Sequence, residues 1–322
     1  MHRPNSGGTM TTGVKFTAQM LVMLLFVQSV TAGRLNETAA YRTCVTTPAS
    51  CTSLSLYNNQ LSGTLPSELG SLTSLTRMWI YNNQLSGTLP SELGPLTSLT
   101  YMYLYHNQLT GTLPTELGAL TDLTYLWIYN NHLTGTLPSQ LGILTRLTRM
   151  ELGINRLTGT LPTELGALTN IKWMHVYDNQ LTGTVPTELG GLTSLTYTGL
   201  YDNQLTGTLP SELGALTNLA YMLVCNNTGL CGDIPAGVTP GTYSTWCLSV
   251  TGGTLLGSEC PTLPPTGSPS TASQAITIPT SSPKGEQPLK DNWFRKRDLA
   301  REQAFPQKFS WFRKQAKQEA TD

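Results

Sequence analysis

The sequence predicts an α/β repeat solenoid. Three observations carry that reading. The chain repeats every 24 residues, in eight units beginning at 48, 72, 96, 120, 144, 168, 192 and 216. Within each unit, apolar residues alternate with others over a few positions, the period of a short strand. Each unit also holds more leucines than it can bury alone, so neighbouring units must stack to cover them.

The unit at 72–95 shows how each element arises. Met78 and Ile80 alternate with Arg77, Trp79 and Tyr81, which writes a strand. Leu72, Leu75, Met78, Ile80, Leu85, Leu89 and Leu93 are expected to point inward, onto their counterparts 24 residues away. Asn83 has equivalents at 59, 107, 131, 155, 179, 203 and 227, all Asn. A buried amide there is expected to bond backbone groups that would otherwise go unpaired, at ~1–3 kcal/mol each. Gly87 and Gly94, with Pro90, read as turn punctuation.

The unit at 96–119 reads LTSLTYMYLYHNQLTGTLPTELGA, and that at 120–143 reads LTDLTYLWIYNNHLTGTLPSQLGI. Their shared frame, LxxLxxLxLxxNxLxGxLPxxLGx, resembles the plant-type leucine-rich repeat. The likeness covers roughly 44–247, and the GLCGDIP at 229–235 is similar to that family's C-terminal cap. The resemblance implies a right-handed, curved superhelix with a parallel β-sheet on the concave face and irregular or helical turns on the convex face. It also implies extracellular binding of proteins, peptides or glycans, as in receptor-kinase ectodomains and inhibitors of secreted polygalacturonases. The N-terminal cap departs from the family pattern, because no Trp stands between Cys44 and Cys51.

The regions around the repeats read as follows. Residues 1–32 are a signal peptide: Met20–Val27 is apolar but too short to span a bilayer, and Val30-Thr31-Ala32 supplies a cleavage site. Residues 33–71 form the N-terminal cap and first repeat, 72–239 the further repeats, and 240–260 a cysteine-containing C-terminal cap. A Pro/Ser/Thr-rich linker at 261–283 precedes a basic aromatic tail at 284–322, expected to be disordered or to touch an anionic surface weakly. No membrane helix is written after the signal peptide.

Six cysteines, Cys44, Cys51, Cys225, Cys231, Cys247 and Cys260, bracket the array, and an even count in an exported chain implies disulfides. The isolation of the first two points to a Cys44–Cys51 bridge, and pairing among the last four stays open. Asn36 and Asn226 open glycosylation sequons.

The outward strand positions are where function should lie. Of these twenty-four, fourteen are Tyr or Trp, including eleven of the thirteen tyrosines in the chain. The candidate ligand-binding residues are Trp79, Tyr81, Tyr101, Tyr103, Tyr105, Tyr125, Trp127, Tyr129, Arg149, Glu151, Trp173, His175, Tyr177, Tyr197 and Tyr201. Tyr and Trp give large contact areas at low entropic cost. With strands ~4.8 Å apart, the tyrosines at 57, 81, 105, 129, 177 and 201 are expected to form one ladder. The competing reading is that these rings only stabilise the sheet through cross-strand contacts. Arg149, Glu151 and Gly153 interrupt the stripe, either as a notch that reads a charged group or as a neutral Arg–Glu pair.

Composition narrows the function further. Only 12% of residues are charged. The stretch 33–260 has seven basic and thirteen acidic residues, a net of −6, which disfavours nucleic acid. No cofactor, metal or catalytic motif is written: HExxH, GxSxG and GxGxxG are absent, and the four His lack ligand spacing. Glu92, Glu116, Glu164, Glu188 and Glu212 recur as a charged exterior rather than an acid/base pair. The expectation is therefore a secreted or wall-associated recognition module, not an enzyme, with a protein or peptide ligand. The alternatives are glycan binding through pyranose stacking on Trp79, Trp127 and Trp173, a structural matrix role, or a truncated receptor ectodomain.

Overall fold

The computed structural model describes residues 33–236 and, beyond them, the two-residue strand Leu255–Leu256. The expected signal peptide, the rest of the C-terminal cap, the linker and the tail lie outside the described residues.

Eight strands form one parallel sheet in chain order: Ser53–Ser55, Arg77–Trp79, Tyr101–Tyr103, Tyr125–Trp127, Arg149–Glu151, Trp173–His175, Tyr197–Gly199 and Tyr221–Leu223. Each is three residues long, and paired residues lie 24 apart in sequence, as with Tyr103 opposite Trp127. This is the α/β leucine-rich-repeat solenoid, with little helix in its turns. The inward residues of the 72–95 unit are all buried, Leu72, Leu75, Met78, Ile80, Leu85 and Leu93 completely. Full burial of one such side chain contributes roughly 1.5–3 kcal/mol, and it is realised only by stacking on the next coil.

The asparagines tie the coils together. Asn131 Oδ1 accepts from the Leu109 N–H at 3.0 Å, and its amide donates to Leu104 O at 3.1 Å and Ile128 O at 3.0 Å. Asn83, Asn107, Asn179, Asn203 and Asn227 do the same in their coils and are buried. The expectation of eight equivalent buried amides needs correction at two places. Asn59 is exposed, because no repeat coil precedes it, and Asn155 is only half-buried.

The turn glycines split into two kinds. Gly87 and its equivalents have φ near +74°, a backbone that suits glycine. Gly94 does not: it closes a 3₁₀ turn, with φ −51°. Its set exists for close approach, not for turning. A Cβ on Gly118 would stand 2.6 Å from the Gln140 Cβ of the next coil. The 3₁₀ turns of the repeats, such as Thr115–Ala119 and Thr163–Ala167, each follow a proline whose fixed φ starts them. A second parallel pairing follows the concave strand, with Ser62–Thr64 beside Gln84–Ser86 and Thr206–Thr208 beside Gly229–Gly232.

The N-terminal cap is built on the α-helix Ala39–Thr46, whose first turn is held by Thr38 Oγ1 accepting from the Tyr41 N–H at 3.2 Å. Leu35 and Tyr41 are buried, and Cys44–Cys51 forms the expected disulfide. At the other end, Cys225 and Cys231 are both disulfide-bonded. Cys247 and Cys260 lie outside the described residues. Among the described residues no helix is long and apolar enough to cross a membrane.

Candidate functional site

Alternation within the strands sends the aromatic side chains to the concave side, and the 24-residue register sets each beside its counterpart in the next coil. Tyr57, Tyr81, Tyr105 and Tyr129 stack at centroid spacings of 4.8, 4.5 and 4.7 Å, with planes within 11° of parallel. Tyr103 stacks on Trp127 at 4.4 Å, and Tyr101 on Tyr125 at 5.0 Å. Tyr177 stacks on Tyr201 at 4.6 Å. Such offset pairs contribute about 0.5–1.5 kcal/mol beyond their buried area.

The stacking changes what the surface offers. Each ring covers the face of the next, so the accessible parts are edges and hydroxyls. The middle column is covered further by the rings on either side: Tyr103, Trp127 and His175 keep only 9%, 8% and 8% exposure. These three point outward as expected but are not open contact residues, because flanking rings meet them edge-on, as Tyr101 and Tyr125 meet Tyr103. Trp79, Tyr81, Tyr101, Tyr105, Tyr125, Tyr129, Trp173, Tyr177, Tyr197 and Tyr201 remain half-buried on the same face. Burial is the main cause that raises the Tyr81, Tyr105 and Tyr197 hydroxyls above the ordinary phenol range.

The expected single ladder is two stacks. Gly153 breaks it, and the Tyr177 ring leans across the gap, so that a Cβ on Gly153 would lie 2.7 Å from Tyr177 Cε1. The same coil is irregular throughout. The Arg149 guanidinium lies 4.4 Å from the Trp173 ring centre and 5.4 Å from that of Tyr125, a cation held between two π faces. Glu151 Oε2 sits 2.8 Å from His175 Nδ1, both side chains largely buried. Ile154 takes φ +54°, a position filled by Asn, Asp or His in the other coils and strained for a β-branched residue.

Sequence reasoning placed Glu151 and His175 on the face but missed their pairing; the signal was their 24-residue spacing, one coil apart in register. It also missed that Trp79 Nε1, Trp127 Nε1 and His175 Nε2 are buried without hydrogen-bond partners. Among the described residues no group of three or more His, Cys, Asp or Glu is placed to hold a metal. Of the two sequons, Asn36 is exposed, whereas Asn226 donates to Asp202 Oδ1 at 2.7 Å and is half-buried.

Comparison with known proteins agrees with this geometry. The Leucine Rich Repeat family model matches residues 50–72, 74–96, 98–120 and 122–144. No curated protein matches the chain. Among solved structures, the ectodomain of the Arabidopsis thaliana membrane receptor kinase GASSHO1/SCHENGEN3, in complex with CASPARIAN STRIP INTEGRITY FACTOR 2, is 38% identical with a TM-score of 0.56. That match covers 57% of this chain and 22% of the receptor ectodomain, so the chain spans about a fifth of that relative's length. The Arabidopsis receptor kinase HAESA, in complex with the peptide hormone IDA and the co-receptor SERK1, is 28% identical with a TM-score of 0.48, covering 61% of this chain and 37% of that one. The plant peptide hormone receptor RGFR1, in complex with RGF2, is 29% identical with a TM-score of 0.45, covering 57% and 37%.

Proposed function

We propose that this chain, a leucine-rich-repeat protein of the plant type, is an extracellular recognition module that holds an extended peptide or protein segment across its concave aromatic face. Its contacts are the edges and hydroxyls of Tyr81, Tyr101, Tyr105, Tyr125, Tyr129, Tyr197 and Tyr201, with Trp79, Arg149, Trp173 and Tyr177 beside them. Tyr103, Trp127, Glu151 and His175 form the floor that keeps these rings upright.

One observation carries the choice of ligand class. A sugar stacks its ring face on an aromatic face, and at two of the three tryptophans a face is already taken, Trp127 by Tyr103 at 4.4 Å and Trp173 by Arg149 at 4.4 Å. A peptide needs no free face. Its carbonyls accept from phenol hydroxyls and its side chains lie against ring edges. The receptor ectodomain of GASSHO1/SCHENGEN3, similar to this chain over a fifth of its length, is itself in complex with a partner.

The test sets a displayed random-peptide library and an array of wall oligosaccharides against the full chain. Peptide capture without sugar capture is the expected result. Sugar capture alone refutes the assignment. Asn36, exposed in the cap, is the sequon expected to carry a glycan, and a glycosidase-sensitive mass on the secreted chain checks it.

A further inference from the structure

Tyr57, Tyr81, Tyr105 and Tyr129 are four phenols in four successive coils, each ring parallel to the next within 11°. Their spacings of 4.5–4.8 Å are set by the backbone register of the sheet, so they are built in rather than sampled. Tyr57 ends the column at 41% exposure and is open to an oxidant.

We propose that this column is a site of oxidative cross-linking, in which neighbouring tyrosines of successive coils join through a bond between their ortho (Cε) ring carbons. The oxidant is hydrogen peroxide acting through a haem peroxidase. Each of two phenols gives up one electron and one proton and becomes a phenoxyl radical, whose unpaired spin resides partly at the ortho carbon. The two radicals form one C–C bond. The two displaced ring hydrogens move to the oxygens and restore both phenols. The pair has lost two hydrogens, and one peroxide has become two waters.

Coupling within the chain outruns coupling between chains because the partners are already held together, which replaces an encounter with a local motion. The product is a covalent strap across adjacent coils on the concave face. This inference stands without the peptide-binding reading, since it needs only the stacked phenols.

The experiment treats the full chain with hydrogen peroxide and a haem peroxidase, isolates the monomer, and digests it at glutamate. Cleavage at Glu68, Glu92, Glu116 and Glu151 places Tyr57, Tyr81, Tyr105 and Tyr129 in four different fragments. The expected result is dityrosine fluorescence in the monomer, with linked fragments containing Tyr57 with Tyr81, Tyr81 with Tyr105, or Tyr105 with Tyr129, each lighter by two hydrogens. Tyr81→Phe combined with Tyr105→Phe keeps the stack of rings but breaks every neighbouring pair of phenols in the column. It should bring to background the linked fragments of Tyr57 with Tyr81 and of Tyr81 with Tyr105, since Tyr81 is the only tyrosine between Glu68 and Glu92. Cross-links found only between separate chains, or oxidation lodged on Trp79 and Trp127 with no linked fragment, would overturn the proposal. Persistence of the same fragments in the double variant would overturn it too.

Discussion

Asn131 Oδ1 accepts the Leu109 N–H at 3.0 Å, joining one coil to the one before it at the point where the chain leaves the strand. The same amide donates to Leu104 O and Ile128 O. Asn131→Ala leaves the Leu109 N–H buried and unpaired, at ~1–3 kcal/mol, while Leu104 O and Ile128 O each lose one of two amide donors and keep Asn107 and Asn155. The expected loss is about 1–3 kcal/mol, read as a lower midpoint in urea. Asn59→Ala, at the exposed end of the same row, should cost much less.

Gly118 tests close approach between coils. An alanine there sets its Cβ 2.6 Å from Gln140 Cβ and 2.8 Å from the Gln140 carbonyl oxygen, and backbone cannot step aside cheaply. Gly118→Ala is expected to destabilise by ~1–3 kcal/mol, as overpacking does. The same substitution at Gly33, where only a Leu61 methyl at 3.9 Å is near, should be almost silent. Thermal melts of the two variants compare them directly.

Thr198 stands where the other coils carry Leu54, Met78, Met102, Leu126, Met150, Met174 and Met222. It is buried, its hydroxyl has no hydrogen-bond partner, and it lines an apolar cavity of about 10 Å³. Thr198→Val removes the stranded hydroxyl and is expected to raise stability by about 1 kcal/mol. A higher melting temperature with unchanged circular dichroism is the predicted observation.

The buried phenols should make the protein sensitive to alkali. Burial holds the Tyr41, Tyr81, Tyr105 and Tyr197 phenols above their unfolded value near 10. Above that pH the unfolded chain sheds protons that the folded chain keeps, so stability falls as pH rises. The stabilisation is fully present below pH ~10 and is lost above it. Tyrosinate absorbance during a pH titration should show a group of tyrosines ionising late and together with unfolding.

Much of the fold was legible because its signal is periodic. The 24-residue repeat placed the leucines inward and the asparagines at the strand exit, and burial follows that pattern in the coils other than the first and the irregular fifth, where Asn155 is half-buried. Asn59 escaped because a repeat says nothing about its own ends. The candidate site was legible in position but not in presentation. Alternation fixes which way a Cβ points, while the orientation of a ring depends on what stands beside it. Trp127 could therefore be placed on the concave face, yet not foreseen as lying flat against Tyr103 and hidden between its neighbours. Gly94 was misread for a related reason: glycine marks both left-handed turns and close contacts, and only the neighbouring coil distinguishes them.

The most direct test of the concave face as a recognition surface is binding of a library-selected peptide to the full chain and to two variants, followed by titration calorimetry. Tyr81→Ala with Tyr129→Ala removes two half-buried rings from the concave column, and Glu116→Ala changes an exposed carboxylate on the opposite side. The account predicts that the tyrosine variant loses the peptide while remaining folded, and that the Glu116 variant keeps it. Equal binding by all three proteins would contradict it.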